Sequence, residues 1–319
     1  MSRTVLVRAS PSLALVKYWG KRDDRRNLPA TPSLAVTLGG VHTRTRVTLN
    51  QADRVFLEGQ EQDPERFAPF FDALRRRLRT EARFRVESRN SFPTAAGLAS
   101  SSSGFAALAV GCARAAGGAL SGRELSALAR IGSASAARAV YGGFTLLPAG
   151  SRYARPLFPE QHWPELRIVI AVVSSQVKPL DSRRAMQATR SGSPYYRAWL
   201  ASSSRLLPLA LKALERRDLE LLGSCARLSY SRMHASLLAA EPPQLYWLPA
   251  TVALIRECAS LRARGIGAWE TIDAGPQVKI LCLEADEPAV LRSLRELDPG
   301  LEALLCRPGP GPAVEELEE

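Results

Sequence analysis

Two of the five lysines in this chain, Lys17 and Lys21, bracket an aromatic pair in the segment Ala9-Ser-Pro-Ser-Leu-Ala-Leu-Val-Lys-Tyr-Trp-Gly-Lys21. Nearly all other basic residues are arginine, so a lysine here suits a site that needs a compact point charge rather than a planar fork. A second segment, Asn90-Ser-Phe-Pro-Thr-Ala-Ala-Gly-Leu-Ala-Ser-Ser-Ser-Ser-Gly104, leads a small-residue loop into a helix with no charged residue before Arg114. Small side chains let backbone N–H groups approach an anion, and the helix start adds positive partial charge. The hydroxyls of Ser100 and Ser101 can reach a phosphate oxygen or its Mg²⁺. A plain serine-rich loop ahead of a core helix has the same composition, so this run alone leaves both readings open. A third segment, Gly132-Ser-Ala-Ser-Ala-Ala-Arg138 followed by Tyr141-Gly-Gly-Phe144, offers hydroxyls for a phosphate and an arginine for a bidentate carboxylate. A fourth, Thr271-Ile-Asp-Ala-Gly-Pro276, places one carboxylate in a turn. There is no Walker motif, and Gly265-Ile-Gly267 lacks the third glycine of a dinucleotide fingerprint.

Positioning such groups takes a sizeable scaffold, and 319 residues with 46% apolar and 23% charged side chains supply one large domain or two medium ones. That balance excludes a disordered, collagenous or disulfide-dense chain. The net charge of +12 comes from arginines dispersed along helical stretches, which reads as a bias of composition and gives no nucleic-acid partner. Cys112, Cys225, Cys258, Cys282 and Cys306 are far apart, and the three histidines have no ligand-like spacing, so a zinc site is not expected. Isolated cysteines in apolar context fit reduced core residues of a cytoplasmic protein. No secretory signal is visible, and the uncharged run Ser91–Ala113 is too rich in serine and glycine, with Pro93, to be a membrane span.

The periodicity predicts an α+β chain. Strands are expected at Thr4–Arg8, Leu34–Leu38, Thr43–Leu49, Val55–Glu58 and Ala82–Glu87, a helix at Pro64–Arg79 and a buried helix at Ser100–Ala116. Ser121-Gly-Arg-Glu124 is a capping box for a further helix. The second half opens on a strand, Leu166–Val173. It turns helical at Asp181–Arg190, Tyr195–Arg216, Leu219–Ala239 and Pro249–Arg264, and closes with strands Ile266–Ile272 and Val278–Leu283, a helix Pro288–Leu297 and a short strand near Leu301. The reading gives an N-terminal lobe over 1–175, a C-terminal lobe over 176–307, and a flexible acidic tail over 308–319.

Taken in order, Lys17-Tyr-Trp-Gly-Lys-Arg22, Phe92-Pro-Thr-Ala-Ala-Gly-Leu-Ala-Ser-Ser101, Gly132-Ser-Ala-Ser…Arg138…Tyr141-Gly-Gly-Phe144 and Asp273-Ala-Gly-Pro276 resemble the mevalonate diphosphate decarboxylases of the GHMP kinase superfamily. Weaker echoes are Ser182-Arg-Arg-Ala-Met186, Ser193-Pro-Tyr-Tyr-Arg-Ala-Trp199, Met233-His-Ala235 and Pro242-Pro-Gln-Leu-Tyr-Trp247. The resemblance implies a two-lobed GHMP kinase fold, with a ribosomal S5 domain 2-like N-terminal lobe and a GHMP C-terminal lobe. It implies an ATP- and Mg²⁺-dependent carboxy-lyase of isoprenoid biosynthesis that converts mevalonate 5-diphosphate to isopentenyl diphosphate, and a cytoplasmic homodimer. By the same resemblance Asp273, Lys17 and Arg138 are catalytic, and Tyr18, Lys21, Ser133, Ser135 and Arg183 bind the substrate. Pro93, Ala96, Gly97, Leu98, Ala99, Ser100 and Ser101 would then hold ATP, with the Ser101 hydroxyl on Mg²⁺.

Several residues depart from the family pattern on the substrate side. Ser12 stands for the usual Asn, Thr31-Pro32 for Asn-Ser, Ala134 for a glycine between two serines, and Arg184-Ala185 for a small residue and Gly. These keep mevalonate 5-phosphate or a 3,5-bisphosphate open as the substrate. A mevalonate-phosphate 3-kinase that stops before decarboxylation is a second alternative, and a basic RNA-associated protein a third.

Overall fold

The computed structural model describes residues 3–92, 100–176 and 182–318. Its strands are β1 (Arg3–Ala9), β2 (Ser12–Ala14), β3 (Lys21–Asp23), β4 (Leu28–Pro29), β5 (Ser33–Gly39), β6 (Thr43–Asn50), β7 (Arg54–Leu57), β8 (Gln60–Glu61), β9 (Arg83–Asn90), β10 (Phe144–Leu147), β11 (Arg155–Phe158), β12 (Leu166–Val172), β13 (Trp269–Ile272), β14 (Val278–Leu283), β15 (Glu302–Pro308) and β16 (Ala313–Glu318). Its helices are α1 (Ala68–Leu78), α2 (Ser100–Ala115), α3 (Gly122–Gly132), α4 (Ala136–Ala139), α5 (Ser182–Gly192), α6 (Tyr196–Arg216), α7 (Leu219–Leu238), α8 (Pro249–Ala263) and α9 (Glu287–Leu297). None of the helices among the described residues is long and apolar enough to cross a membrane.

Alternation on β1, β6 and β9 puts Val5, Val7, Val47, Phe84 and Val86 on one face. There they meet Phe70, Phe71 and Leu74 of α1 and the apolar side of α2 in a single core. These strands belong to a six-stranded sheet ordered β16-β1-β6-β9-β7-β8, in which β7 and β9 run parallel. Helix α2 lies so close to it that a Cβ on Gly111 would come 2.7 Å from the Val47 side chain, so only glycine lets helix and strand meet here. A buried all-round helix was the expectation for this stretch, and α2 is indeed central. Ser121 caps α3 with the reciprocal Glu124 contacts that its sequence predicts.

The second sheet joins the two halves of the chain. Its order is β11-β10-β5-β15-β12-β14-β13, with β2 also pairing β5. Leu34 and Val36 of β5 and Ile168 and Ile170 of β12 share one core with Leu206 and Leu214 of α6 and Leu222 of α7. The other side of β12 and β14 packs Val169, Ile280 and Cys282 against Leu254, Cys258 and Leu261 of α8 and Val290 and Leu294 of α9. Strand β12, placed at the end of the N-terminal lobe by the sequence, pairs with β14 and β15 and so belongs with the later segments.

The acidic end was expected to be mobile from 308 onward, and this is corrected by the structure. Residues 313–318 form β16, in antiparallel register with β1 from Arg3↔Glu318 to Arg8↔Ala313. The reading failed because a Pro-Gly run and a string of glutamates lack apolar periodicity. The strand forms because its backbone pairs with the edge of β1, although Glu315 and Glu316 are exposed. Deleting 313–319 should leave the β1 edge unpaired, lower Tm by about 5 °C or more and increase aggregation on heating. Calorimetry and light scattering check this, and an unchanged Tm would show that β16 adds no stability.

Candidate active site

Lys17 lies three residues beyond the end of β2 and is 1% exposed, although its ammonium is charged and far from bulk water. Two groups compensate it: Nζ donates to the Ala14 carbonyl at 2.8 Å and to Asp273 Oδ1 at 2.7 Å. Its backbone N–H donates to Ser229 Oγ on α7 at 2.9 Å, so this segment of the first half is tied to the second at both backbone and side chain. Burial lowers the Lys17 pKa to about 8; the Asp273 carboxylate opposes that shift, and Lys279 and Arg138 add to it.

Asp273 sits just past β13, in the turn that leads to β14. Its carbonyl accepts from Gly275 N at 2.9 Å and from His234 Nε2 of α7 at 3.1 Å, which fixes the proton of that imidazole on Nε2. His234 is buried against Trp247, with ring centroids 5.0 Å apart, and near Tyr230. Desolvation lowers its pKa to about 4. Beneath it, Tyr230 donates to the fully buried Glu270, which also pairs with Arg227 and Arg262.

Arg138 lies on the short helix α4 and is 2% exposed. Its Nε donates to Ser12 Oγ at 3.3 Å and its Nη1 to Ser33 Oγ. Burial lowers its pKa to about 10, and the charges of Asp273 and Tyr18 counter the shift, so its guanidinium senses the Asp273 carboxylate. Three side chains separated by 256 residues of sequence therefore converge: Lys17 touches Asp273, and Arg138 lies within their electrostatic reach.

The phosphate-type groups form a neighbouring set. Ser101 Oγ is 3.3 Å from Ser133 Oγ, which is 3.0 Å from Ser135 Oγ, so the first turn of α2 and the 132–135 run make one line of hydroxyls. Arg183 reaches across from α5 to the Gly132 carbonyl. Tyr18 carries a buried hydroxyl without a hydrogen-bond partner among the described residues; burial raises its pKa, while Arg138 and Arg183 pull it down. Lys21 opens β3, and Ser100 opens α2. Pro93, Ala96, Gly97, Leu98 and Ala99, expected to hold nucleotide, lie outside the described residues.

No trio of His, Cys, Asp and Glu able to hold a metal occurs among the described residues. A Mg²⁺ ion would fit as part of a nucleotide complex, with phosphate oxygens and the solvent-facing hydroxyl of Ser101 as hard oxygen donors.

Trp19 of the aromatic pair has a structural role. Trp19 Nε1 donates to Thr189 Oγ1 at 3.2 Å, and Trp199 Nε1 donates to the Trp19 carbonyl at 3.1 Å, pinning this loop to α5 and α6. Thr31, one of the departures noted above, accepts from Trp19 N at 3.1 Å. Ser12, another, has become a partner of Arg138.

Comparison with known proteins identifies the family. Residues 9–156 match the diphosphomevalonate decarboxylase-like N-terminal domain, and residues 168–305 the mevalonate 5-diphosphate decarboxylase C-terminal domain. The chain belongs to the mevalonate diphosphate decarboxylase family. The diphosphomevalonate decarboxylase of Aspergillus fumigatus is 34% identical over 91% of this chain and 79% of its own length. A neighbour solved in complex with MVAPP, AMPPCP and magnesium superposes with a TM-score of 0.91 at 33% identity, covering 99% of this chain and 100% of the other. The mevalonate diphosphate decarboxylase of Enterococcus faecalis gives a TM-score of 0.90 at 34% identity over 99% and 100% of the two chains.

As a member of the mevalonate diphosphate decarboxylase family the chain has the GHMP kinase fold. Sequence reasoning missed Lys279: it sits on β14, is 1% exposed, and its Nζ lies 3.3 Å from Asp273 Oδ2. The signal was present, since Val278-Lys-Ile-Leu-Cys-Leu283 has one charge in an otherwise apolar strand. Ser33 and Ser229, which hold Arg138 and Lys17, carried no such signal.

Two outcomes are expected from the way the site is held. Gly20 has φ +95°, and a Cβ there would fall 2.1 Å from Tyr196 Oη, so Gly20→Ala should destabilise by about 1–3 kcal/mol in urea unfolding. An unchanged midpoint would show that Tyr196 yields freely. The ring of His234 should stay neutral in NMR titration down to about pH 4. Its folded-state pKa lies below the unfolded 6.5, so its contribution to stability is complete above pH 6.5 and is lost as pH falls toward 4. Protonation of His234 near pH 6.5 would contradict the buried, donor-only role of Nε2.

Proposed function

We propose that this protein catalyses the ATP-dependent decarboxylation of mevalonate 5-diphosphate to isopentenyl diphosphate, releasing CO₂, ADP and phosphate. The observation that carries the proposal is the convergence of Lys17, Arg138 and Asp273 beside the hydroxyl line at the start of α2. Family membership and the neighbour solved with MVAPP, AMPPCP and magnesium support it.

The chemical obstacle is a tertiary alcohol, because hydroxide is a very poor leaving group. Transfer of the ATP γ-phosphoryl group to the 3-oxygen makes phosphate the leaving group. As the C–O bond breaks, the electron pair of the C–CO₂ bond moves in to form the alkene. Asp273 orients the 3-hydroxyl and accepts its proton through a carboxylate oxygen. Lys17 stabilises the negative charge that builds between the carboxylate and the transferring phosphoryl group. Arg138, held on one side by Ser12 and Ser33, grips the substrate carboxylate and fixes it for departure as CO₂. Tyr18, Lys21, Ser133, Ser135 and Arg183 hold the diphosphate. The 93–101 segment holds the ATP phosphates, and bound Mg²⁺ would neutralise charge on their oxygens.

The contact of Ser101 with Ser133 supports a division of labour at that point: nucleotide phosphates on the α2 side and substrate phosphates on the 132–135 side. Two polyanions brought this close repel, which the cations Lys17, Lys21, Arg138 and Arg183 offset. We further propose that the enzyme acts in a reducing cytoplasm, which its five free, buried cysteines suit, and as a homodimer, for which the exposed Leu238, Leu245, Leu248 and Val252 around α7 and α8 offer an apolar surface.

Purified protein with ATP, Mg²⁺ and carboxyl-labelled mevalonate 5-diphosphate should release labelled CO₂ and one ADP per turnover. Asp273→Asn should lower kcat by about 10²–10⁴-fold while nucleotide still binds. The same assay with the 5-phosphate and the 3,5-bisphosphate fixes the phosphorylation state of the substrate, and a clear preference for either overturns the diphosphate assignment. ADP formation without CO₂ would instead identify a 3-kinase.

A further inference from the structure

The lysine that sequence reasoning missed has a geometry unlike a stray buried charge. Lys279 projects from the middle strand of β12-β14-β13, and its direct neighbours in register are Ile170 on one side and Thr271 on the other, neither charged. Its ammonium lies 3.3 Å from Asp273 Oδ2, while Lys17 takes Oδ1 at 2.7 Å. The carboxylate is thus held at both oxygens by ammonium groups from two different parts of the chain. One contact alone would let it rotate about its Cβ–Cγ bond; two fix the plane.

The charge balance is also uneven. The groups facing this cluster are Lys17 and Tyr18 after β2, Arg138 of α4, His234 of α7, and Asp273 and Lys279 at the β13–β14 turn. With Tyr18 and His234 neutral, three buried cations face one carboxylate among the described residues. Buried charge of one sign is costly unless an opposite charge arrives. The surplus is matched when a substrate carboxylate and a transferring phosphoryl group enter.

We infer that Lys279 is a positioning residue of the reaction proposed above, on which this inference rests: it fixes the plane of Asp273 so that Oδ1 stays on Lys17 and faces the 3-hydroxyl, and it supplies one unit of the cationic surplus that receives the transition state. Lys279 does not touch the reacting atoms in this role. It acts through Asp273 and Lys17, so its loss should reduce turnover while leaving ATP affinity largely intact.

The chain has only five lysines, so protein labelled with ¹³C at lysine Cε gives a spectrum simple enough to follow each one. In Lys279→Met, removal of a neighbouring cation should shift the Lys17 titration upward from its value near 8. The kcat for CO₂ release should fall about tenfold or more, with KM for ATP changed less than twofold. Lys279→Arg, which restores the cation, should return the Lys17 titration toward the wild-type value and recover part of kcat. Lys279→Gln replaces the Met variant should the latter not fold. A neutral variant with wild-type kcat, or with an unmoved Lys17 titration, overturns the inference; so does a loss of activity that Lys279→Arg and the neutral variants share equally. The lysine titrations need no turnover. A wild-type protein that releases no CO₂ from any mevalonate phosphate therefore refutes the proposed reaction while still leaving the coupling of Lys279 to Lys17 measurable.

Discussion

The carboxylate of Asp273, held between the ammonium groups of Lys17 and Lys279, is the constraint around which the molecule is arranged. A lysine taken almost fully out of water loses several kcal/mol of hydration, and only a close opposite charge with supporting hydrogen bonds makes that tolerable. Lys17 comes from the first half of the chain and Asp273 and Lys279 from the second, so the pairing cannot form unless both halves are folded and docked. Lys17 N on Ser229 and the His234 ring on the Asp273 carbonyl secure the two sides of the same contact from α7. The fold and the chemistry thus share one set of interactions.

The hydroxyl line follows a different principle. Ser101, Ser133 and Ser135 are neutral, small and close together, so they can turn to donate to whichever phosphate oxygen is presented. Fixed cations lie to the sides, with Arg183 anchored by the Gly132 carbonyl. In the reaction proposed above, strong charge is held rigidly where bonds would break, and adaptable polarity is placed where phosphates would only need to be held. The large positive charge of the chain is mostly unrelated to this, since arginines such as Arg54, Arg75 and Arg77 are spent in ion pairs far from the site.

Most of the core elements were legible because burial on one face leaves a period. Thr43–Asn50 alternates buried and exposed as a half-buried strand must, and the 100–115 helix has no charge until Arg114 because nearly every side is covered. The triad of Lys17, Arg138 and Asp273 was named from motif resemblance, and no local pattern in the sequence states that residues 17 and 273 touch. What remained hidden was set by pairing rather than by side chains. β2, the β3–β4 hairpin and β16 are short or polar and exist because a neighbouring strand offers its backbone. Lys279 was overlooked because a lone charge in an apolar strand is read as a strand residue first, and its partner lies in a turn several residues earlier that only β-pairing brings alongside.

The order of strands has a consequence for how the protein comes into being. β15 sits between β5 and β12, and β16 closes the edge of β1, so both sheets wait for residues 302–318 to be synthesised. While the ribosome still holds residues 302–318, the emerging N-terminal half lacks two of its strands and exposes the edges of β1 and β5. A nascent chain of this topology can collapse but cannot complete either sheet, and it passes through a stage in which shielding by a chaperone has the most to offer. Emergence of residues 302–318 is then the event that completes both sheets and lets the two halves lock.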